Sequence, residues 1–489
     1  MEKISTRDTM FIDNFGRERI FHGFNVVDKG DYKDGKVKFD FEFDDAFFDK
    51  FKEKGFNILR LGFGWNVVEP KPLKYNEDFL NAVGVILDKC AEKGVFVYLD
   101  IHQDCYSSFC YGNGAPAWAT LMDKYKPRPA KFVWAELYFR SKAVHRAFDN
   151  FWTNRQYNDT CLQDYYAGMW KHIADKFKDK PALFGFDFMN EPYPGKDGGK
   201  VFRKLVYKCA RVMLADRGIK RSKLISDALH KDRRMKVLDQ LDAPIFNKIT
   251  SAGNELVKKF DIERYSPFLN KMTSAVRKVT DNGIVFIDNS YWSNIGIPCS
   301  NLPIEVGGKR EAKQCFQPHG YDLMVDTPAY KYASNSRVGA IFAEHKRTQE
   351  RLNVPAIVGE WGGGGEGTEW LPHVEFLLET FEKNKWSYTY WHYSKGVLDS
   401  PLSEVLVRPY PKAVTGEIIE FFYIKEQDVF KLVYKQEKVF DAPTVIYVPK
   451  PFKSIIVDGE YTAEKIENSE AANVNIKTGV GMHTVEIRF

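Results

Sequence analysis

Eight short apolar runs recur along the first 392 positions of the chain. Runs of this kind are typical of strands buried in a parallel sheet, and helical or loop stretches separate most of them. Eight strands with intervening helices predict an α/β protein with a (β/α)8 TIM barrel. The runs are residues 20–26, 57–63, 95–101, 183–189, 284–289, 315–321, 356–360 and 386–392.

The segments between the runs carry helix signals. "DDAFFDKFKEKG" (44–55) and "FLNAVGVILDKCAEKG" (79–94) have helical spacing and end in glycine, as crossover helices should. A basic helical insertion is predicted at about 195–280, within which residues 200–236 hold thirteen Lys or Arg against three Asp. Such an insertion is either a solvated helical cover or a surface that meets an anionic or amphiphilic interface.

The pattern of apolar residues changes after the barrel, which is predicted to cover residues 1–410. Four segments show apolar and polar residues in alternation or short apolar runs, with turn residues between the segments. They are "VFKLVYK", "TVIYVP", "SIIVDG" and "HTVEIRF". Residues 411–489 are therefore predicted to form a small antiparallel β-sandwich. No separate cluster of reactive residues occurs there, so we expect it to pack against the barrel.

Composition excludes several classes of function. A net charge of +5 on 137 charged side chains is too balanced for a nucleic-acid partner. The seven cysteines form no metal-binding pattern, so we expect free thiols, no metal and no cofactor. No apolar run is long enough for a transmembrane segment, and no signal peptide is visible, which predicts a cytoplasmic protein as written. A secreted origin stays open for a trimmed chain, and the oligomeric state is not indicated.

Polar side chains lie at the end of every predicted strand. Barrel enzymes carry their chemistry at the carboxyl ends of the strands, so these groups are expected to converge on one site. Taken strand by strand, they are Asn25, Asp28 and Lys29; Arg60 and Trp65; Asp100, His102 and Asp104; Asn190 and Glu191; Asp288 and Asn289; His319 and Tyr321; Glu360; and Trp391 and His392.

Two of these residues are glutamates that directly follow apolar runs. Glycoside hydrolysis needs two carboxyl groups flanking the bond, about 5–5.5 Å apart in a retaining enzyme. Strands four and seven face one another across a barrel, so Glu191 and Glu360 can meet there. Asn190 could hydrogen-bond the sugar 2-OH, and Arg60 would hold Glu360 ionised.

Aromatic and imidazole groups complete the predicted site. His102, His319 and Tyr321 are expected to hydrogen-bond sugar hydroxyls and the nucleophile. Trp391 is expected to stack on the sugar in the −1 subsite. The sequence therefore predicts a carbohydrate-binding cleft around the glutamate pair.

The motifs resemble glycoside hydrolase family 5, the cellulase-like retaining glycosidases. The residues that carry the likeness are "MNEP" (189–192), "GEWG" (359–362), Arg60, "H-x-Y" (319–321) and Trp391. Further motifs resemble the endoglycoceramidase branch of that family. They are "GFNVVDKG" (23–30), "DIHQDCYS" (100–107), "GAPAWAT" (114–120), "AFDNFW" (147–152), "PHGYD" (318–322) and "LVRPYPKAV" (406–414).

The resemblance implies hydrolysis of the bond between glycan and ceramide in glycosphingolipids, with retention of configuration. The substrate would be presented in micelles or at a membrane surface. The resemblance also implies roles for matching residues: Glu191 becomes the acid/base and Glu360 the nucleophile. The sugars nearest the cleavage point would be bound by Lys29, His102, Asp104, Trp152, Asn190, Tyr321 and Trp391.

Several alternatives stay open. The basic insertion and the missing signal peptide differ from the pattern of the endoglycoceramidase branch. A β-glucosidase that acts on glucosylceramide or steryl glucoside is therefore an alternative. An ordinary β-glucanase, a non-catalytic glycolipid-binding barrel and a metal-dependent hydrolase are further readings. A lipid aglycone would need an apolar trough, for which the aromatic segments 111–122 and 131–139 are candidates, with the insertion as a rim.

Overall fold

A computed structural model describes residues 1–28, 41–131, 133–325, 327, 329–364 and 367–489. Lys29, which was predicted to bind sugar, lies outside the described residues. The described part of the chain contains a barrel of parallel strands, a set of surrounding helices and a C-terminal pair of antiparallel sheets.

The barrel contains all eight predicted strands, each within a few residues of its apolar run. Neighbouring strands are parallel, and bridges from Phe316 to Ala356 and from His319 to Glu360 join the sixth strand to the seventh and close the sheet. The prediction of a (β/α)8 barrel is therefore confirmed. The strands are β1 (His22–Asp28), β2 (Ile58–Phe63), β3 (Phe96–Ile101), β4 (Leu183–Asp187), β5 (Ile284–Asp288), β6 (Gln314–Gln317), β7 (Ile357–Val358) and β8 (Ser387–Tyr390).

The barrel interior changes character from one end to the other. At the amino ends of the strands, buried rings of Phe21, Phe96, Phe184 and Phe286 fill the interior. Phe11, from outside the barrel strands, packs edge-on against Phe21 and Phe184. Polar side chains replace these rings toward the carboxyl ends, so the apolar layer forms a floor beneath the polar end of the barrel.

Helices cover the outside of the barrel, and several have clear start and stop residues. The side chain of Asn76 caps the helix Glu77–Lys93 by accepting from the Phe79 N–H, and Gly94 ends it with φ of +74°. The helices are α1 (Asp45–Glu53), α2 (Trp65–Val68), α3 (Glu77–Lys93), α4 (Glu136–Arg140), α5 (Lys142–Trp152), α6 (Leu162–Phe177), α7 (Lys196–Ala215), α8 (Arg221–Leu229), α9 (Ala243–Thr250), α10 (Asn254–Phe260), α11 (Ser266–Val276), α12 (Asn335–Leu352), α13 (Leu371–Asn384) and α14 (Ser403–Leu406).

The insertion between β4 and β5 is helical, and it comprises α7 to α11 with a 3-10 segment at Lys231–Gln240. Buried Val201, Leu205 and Val212 lie on one side of α7. No helix among the described residues combines the length and apolarity needed to cross a bilayer.

The C-terminal region consists of antiparallel strands, as predicted. One sheet has four strands, which are Glu417–Ile424, Val429–Gln436, Gly481–Arg488 and Ser454–Ile456 in spatial order. The second sheet also takes in the N-terminal strands, because Glu18–Arg19 pairs with Tyr410–Val414. Its seven strands are, in spatial order, Ile4–Arg7, Met10–Asp13, Glu18–Arg19, Tyr410–Val414, Thr444–Val448, Ala472–Lys477 and Glu460–Lys465. The first nineteen residues, expected in the barrel, thus extend this sheet.

Candidate active site

Two buried carboxylates meet at the carboxyl end of the barrel. Carboxylate oxygens of Glu191 and Glu360 lie within 4.8 Å of each other, together with a ring nitrogen of His319. Glu191 follows β4 and Glu360 follows β7, so opposed strands deliver the pair. This separation suits direct attack by one carboxylate, because inverting enzymes hold the two groups about 6.5–9.5 Å apart.

The backbone at Glu191 is held in an uncommon conformation. Its φ of +44° lies in the left-handed region, which costs free energy for a residue with a Cβ atom. The N–H of Glu191 donates to Asp288 Oδ2 at 2.8 Å, and this contact fixes the turn. The strand therefore ends at Asp187, and a constrained turn aims the glutamate into the barrel mouth.

Within the described part of the chain, Glu191 Oε1 contacts Asn294 and His319. The amide of Asn294 donates to it at 2.6 Å, and His319 Nδ1 lies 3.1 Å away. Gln317 Nε2 lies 3.4 Å from His319 Nε2, which fits an imidazole whose proton is on Nδ1 and is donated to Glu191. Both of these contacts come from hydrogen-bond donors rather than from permanent cations.

Glu360, by contrast, contacts a permanent cation. Arg60 Nη1 donates to Glu360 Oε1 at 2.6 Å, and the Tyr321 hydroxyl donates to Oε2 at 3.4 Å. Arg60 is fully buried and also pairs with Asp187 at 2.7 Å and Asp100 at 3.2 Å. Burial acts against its charge, yet these carboxylates raise the pKa of Arg60 well above its ordinary value. The guanidinium is thus a fixed positive charge beside Glu360.

The layer beneath the pair contains buried titratable groups. Burial raises the pKa of Asp187 to about 6, although Arg60 acts in the opposite direction. Burial also raises the pKa of Asp288 well above its ordinary value. For His319, burial lowers the pKa to about 3, while Glu360 opposes this shift. The imidazole between the two glutamates is therefore neutral near neutral pH.

Asn190 and His102 form a second polar group beside the pair. Asn190 Oδ1 accepts from Arg60 at 2.9 Å, and its amide donates to the Gln103 carbonyl at 3.1 Å. His102 Nδ1 is 2.8 Å from Asp100 Oδ2, and its Nε2 is 3.7 Å from Asp104 Oδ2. These residues end β3 and β4, so the structure brings them to the same rim as the glutamates.

Tyr321 and Trp391 line an open cavity of about 890 Å³ that adjoins the pair. The Trp391 ring lies nearly parallel to His102, with the ring centroids 5.5 Å apart. A flat indole at the edge of an open cavity can stack on a sugar face. Its role in the −1 subsite stays a prediction.

The Trp152 ring is almost entirely buried, whereas a ring that stacks on a sugar has one face exposed in the cleft. Trp152 is only 6% exposed and packs against Phe260 and Phe268, and its N–H donates to the Tyr193 carbonyl at 2.7 Å. This position supports the turn that follows Glu191. Sugar binding by Trp152 stays a prediction.

Several residues of the site were not singled out from the sequence. Asn294 lies in a 3-10 turn after β5, where no pattern marks it. Gln317 donates to Asp187 at 2.7 Å, and Gln103 donates to the Asn190 carbonyl at 2.9 Å. Gln103 falls inside the motif "DIHQDCYS" (100–107), which is the available signal for it.

The donor atoms of Glu191, His319 and Glu360 are also close enough together to hold a metal ion. Arg60 already contacts Glu360 at 2.6 Å, and a second positive charge there would be repelled. This donor set therefore fits a metal ion poorly, and no step below depends on one.

A barrel with paired glutamates after its fourth and seventh strands defines the class of barrel glycoside hydrolases. The family model for cellulase (glycosyl hydrolase family 5) matches residues 35–221 and 245–396. The model for the glycoside hydrolase family 5 C-terminal domain matches residues 408–487. The chain belongs to glycoside hydrolase family 5.

Similar proteins include endoglycoceramidases. The endoglycoceramidase of Hydra vulgaris is 34% identical over 219 residues, which is 39% of this chain and 41% of that protein. The chain thus spans less than half the length of that relative. Endoglycoceramidase I of Rhodococcus hoagii is 24% identical over 84% of this chain and 72% of its own. A solved lactosyl-enzyme intermediate of endo-glycoceramidase II from Rhodococcus sp. is 25% identical, with a TM-score of 0.74 and 99% of both chains covered.

Proposed function

We propose that this protein is a retaining glycosidase that hydrolyses the bond between the glycan and the ceramide of glycosphingolipids. The observation that carries the proposal is the approach of the Glu191 and Glu360 oxygens to within 4.8 Å. The names of the endoglycoceramidases that the chain resembles support the choice of a glycolipid substrate.

The first chemical step forms a glycosyl-enzyme. Glu360 attacks the anomeric carbon with a carboxylate oxygen, while Glu191 gives its proton to the glycosidic oxygen and ceramide leaves as the alcohol. The Arg60 guanidinium, 2.6 Å from Glu360, holds the attacking carboxylate in place by a charge-assisted hydrogen bond. The Rhodococcus structure described as a lactosyl-enzyme intermediate supports this step.

The second step returns the enzyme to its starting state. Glu191, now ionised, takes a proton from water, the water oxygen attacks the anomeric carbon, and the ester bond to Glu360 breaks. Asn294 and His319 donate to Glu191 and stabilise the ionised form that exists between the two steps. The glycan is released with its original configuration.

A substrate panel tests this function. The purified protein is incubated with a ganglioside, lactosylceramide, glucosylceramide and a steryl glucoside, and the products are identified by mass. We expect the intact glycan and ceramide from the first two substrates. Release of glucose from glucosylceramide or steryl glucoside alone would instead establish the β-glucosidase alternative.

The variant Glu360→Gln separates an enzyme from a non-catalytic glycolipid-binding barrel. An enzyme should lose turnover while still retaining the glycolipid, because the amide keeps the shape but cannot attack. Unchanged product formation by this variant would contradict the proposed mechanism.

A further inference from the structure

The outer side of α7 exposes large apolar side chains to solvent, next to cationic ones. Val206, Tyr207 and Leu214 are 52%, 65% and 72% exposed. Arg203 and Lys204 are exposed among them. Large apolar side chains next to cations are typical of helices that lie at a membrane surface.

The cations on this side of α7 lack carboxylate partners. Arg203, Lys204, Lys208 and Arg211 make no ion pair with any described residue, whereas Lys200 pairs with Asp197 at 2.6 Å. The Arg211 guanidinium instead lies over the Tyr207 ring, 5.8 Å from its centroid. The charges are therefore available to an external anion.

A groove of about 1170 Å³ runs beside the start of α7. Arg140, Lys142 and Lys196 line it and likewise make no ion pair with the described part of the chain. Phe139 and Phe202 stack in its wall, with ring centroids 4.6 Å apart and planes 5° apart. Asp123, Glu136 and Asp149 also line the groove, so its surface combines a surplus of cations over carboxylates with apolar groups.

Exposed aromatic and aliphatic groups continue from the groove onto the turn that precedes α4. Val133 lines the groove and is 44% exposed, and the neighbouring Trp134 is 43% exposed. Tryptophan is favoured where one side of the ring meets lipid and the other meets water. We define the α7 face as this groove, Trp134 and the exposed side of α7.

The groove and the start of α7 lie at the same end of the barrel as the catalytic pair. Helix α7 begins at Lys196, five residues after Glu191. The N–H of Lys196 donates to Asp149 Oδ1 at 3.1 Å, and Asp149 also lines the groove. A surface bound to the groove and the start of α7 would therefore lie near the entrance to the site.

We propose that the α7 face docks the protein onto an anionic lipid surface. The proposal rests on the proposed function to the extent that docking would bring a lipid-borne substrate to the glutamate pair. Cations attract the negative headgroups, while Tyr207, Leu214 and Trp134 insert at the headgroup boundary. A nucleic acid would use the charges but would leave Val206 and Leu214 exposed to water.

Vesicle sedimentation tests the docking without using catalysis. The full chain is mixed with vesicles of phosphatidylcholine alone or with about 30% phosphatidylserine, at low and high salt. The test variant is Arg203→Gln/Lys204→Gln/Arg211→Gln. The matched control, Lys438→Gln/Lys465→Gln/Lys477→Gln, removes three exposed cations from the C-terminal region.

We expect the unmodified chain to bind the anionic vesicles at least tenfold more tightly than the neutral ones, with loss of binding at high salt. Each basic residue near such a surface strengthens binding about fivefold, so the test variant should lose at least tenfold. The control variant should bind like the unmodified chain. Equal binding of test and control variants, or no preference for anionic vesicles, would overturn the proposal.

Two further readouts identify other occupants. If the test variant alters KM for a soluble sialylated glycan conjugate while vesicle binding is unchanged, the face is an anion subsite and the proposal fails. If the variant changes the oligomeric state by light scattering instead, the face binds a second copy and the proposal also fails. Glu360→Gln lacks the proposed nucleophile and should bind the anionic vesicles like the unmodified chain. Docking is thus tested independently of whether the proposed hydrolysis occurs.

Discussion

Glu191 and Glu360 carry the same side chain but meet different neighbours. Arg60 places a permanent charge 2.6 Å from Glu360, whereas Asn294 and neutral His319 donate to Glu191. An arginine holds an attacking carboxylate in place by a charge-assisted hydrogen bond, whereas neutral donors can hydrogen-bond a carboxyl group that gains and loses a proton. The environments of the two carboxyl groups thus suit two different roles at one pH.

Asn294→Ala tests the role of its amide. Removal of a donor 2.6 Å from Glu191 destabilises the carboxylate, so the alkaline limb of the kcat/KM profile should move to higher pH by about 1 unit. The profile is measured on a soluble aryl glycoside. Asn384→Ala, which removes an amide that donates to the Thr380 carbonyl on α13, serves as the control. An unmoved alkaline limb would contradict the assignment.

The sequence alone predicted the glutamate pair because each residue directly follows an apolar strand. Asn294 and Gln317 could not be predicted in the same way. Asn294 reaches Glu191 across 103 residues of sequence, and Gln317 lies inside a strand, where an amide gives no sign of which buried carboxylate it meets. Their partners are set by the packing of the barrel interior.

Gly359 lies between strand β7 and Glu360, and the neighbouring side chains leave no space for a Cβ atom at this position. A Cβ atom on Gly359 would lie 2.4 Å from Gln317 Nε2 and 2.7 Å from His319 Nε2. The chain can therefore approach these two side chains closely only without a side chain at this position. The sequence "GEWG" includes the glycine, and the structure supplies the reason for it.

Gly359→Ala should displace His319 and Gln317 and so disturb the contact of His319 with Glu191. We expect kcat/KM to fall at least tenfold, since an overpacked buried site costs about 1–3 kcal/mol. Steady-state kinetics measure the effect. Gly479→Ala, where a Cβ meets nothing within 4 Å, is the matched control and should leave the rate unchanged. Equal rates for the two variants would refute this role of Gly359.

Helix α12 places another buried imidazole behind β6. His345 Nε2 lies 2.9 Å from the His319 carbonyl, and burial lowers the pKa of His345 to about 3 from an ordinary 6.5. The folded protein therefore keeps this side chain neutral, while the unfolded chain takes up a proton below pH 6.5. The stabilisation is full above 6.5 and is lost as pH falls toward 3.

His345→Gln removes this titration. The difference in unfolding free energy between the unmodified chain and the variant should shrink by about 2 kcal/mol from pH 7.5 to pH 5. Urea unfolding at both pH values measures the difference. A difference that stays constant would mean that His345 is not held neutral.

At the scale of elements, apolar runs predicted the strands well because burial on both faces leaves a clear pattern. The end of β4 was less predictable. The run "LFGFDFM" continues to residue 189, but the strand ends at Asp187 because the following residues turn to meet β3 and β5. The Asn190 N–H donates to the Ile101 carbonyl, and the Glu191 N–H donates to Asp288. Such tertiary partners override local patterning.

At the scale of the whole molecule, the N-terminal residues connect the barrel to the C-terminal sheets. Glu18–Arg19 pairs with Tyr410–Val414, while Phe11 reaches the aromatic floor of the barrel. The sequence placed these residues with the barrel because they precede its first strand. Pairing across almost four hundred residues leaves no local signal.

Phe11→Ala should destabilise the protein without changing its chemistry. The ring is 2% exposed and packs at the end of the barrel opposite the glutamates, so we expect a loss of about 3–5 kcal/mol with kcat nearly unchanged. Thermal unfolding and turnover below the transition measure the two effects. Phe15→Ala, at a position 44% exposed, should change neither. A variant with normal stability and reduced kcat would contradict this picture of the floor.

The central claim is that Glu360 forms a covalent bond to the sugar while Glu191 supplies and removes the proton. The most direct measurement is peptide mass analysis after treatment with a 2-deoxy-2-fluoro β-glycoside that carries a good leaving group. The account predicts one glycosyl adduct per chain, on the peptide that contains Glu360, and none in Glu360→Gln. An adduct on another residue, or a product of inverted configuration with no adduct, would contradict it.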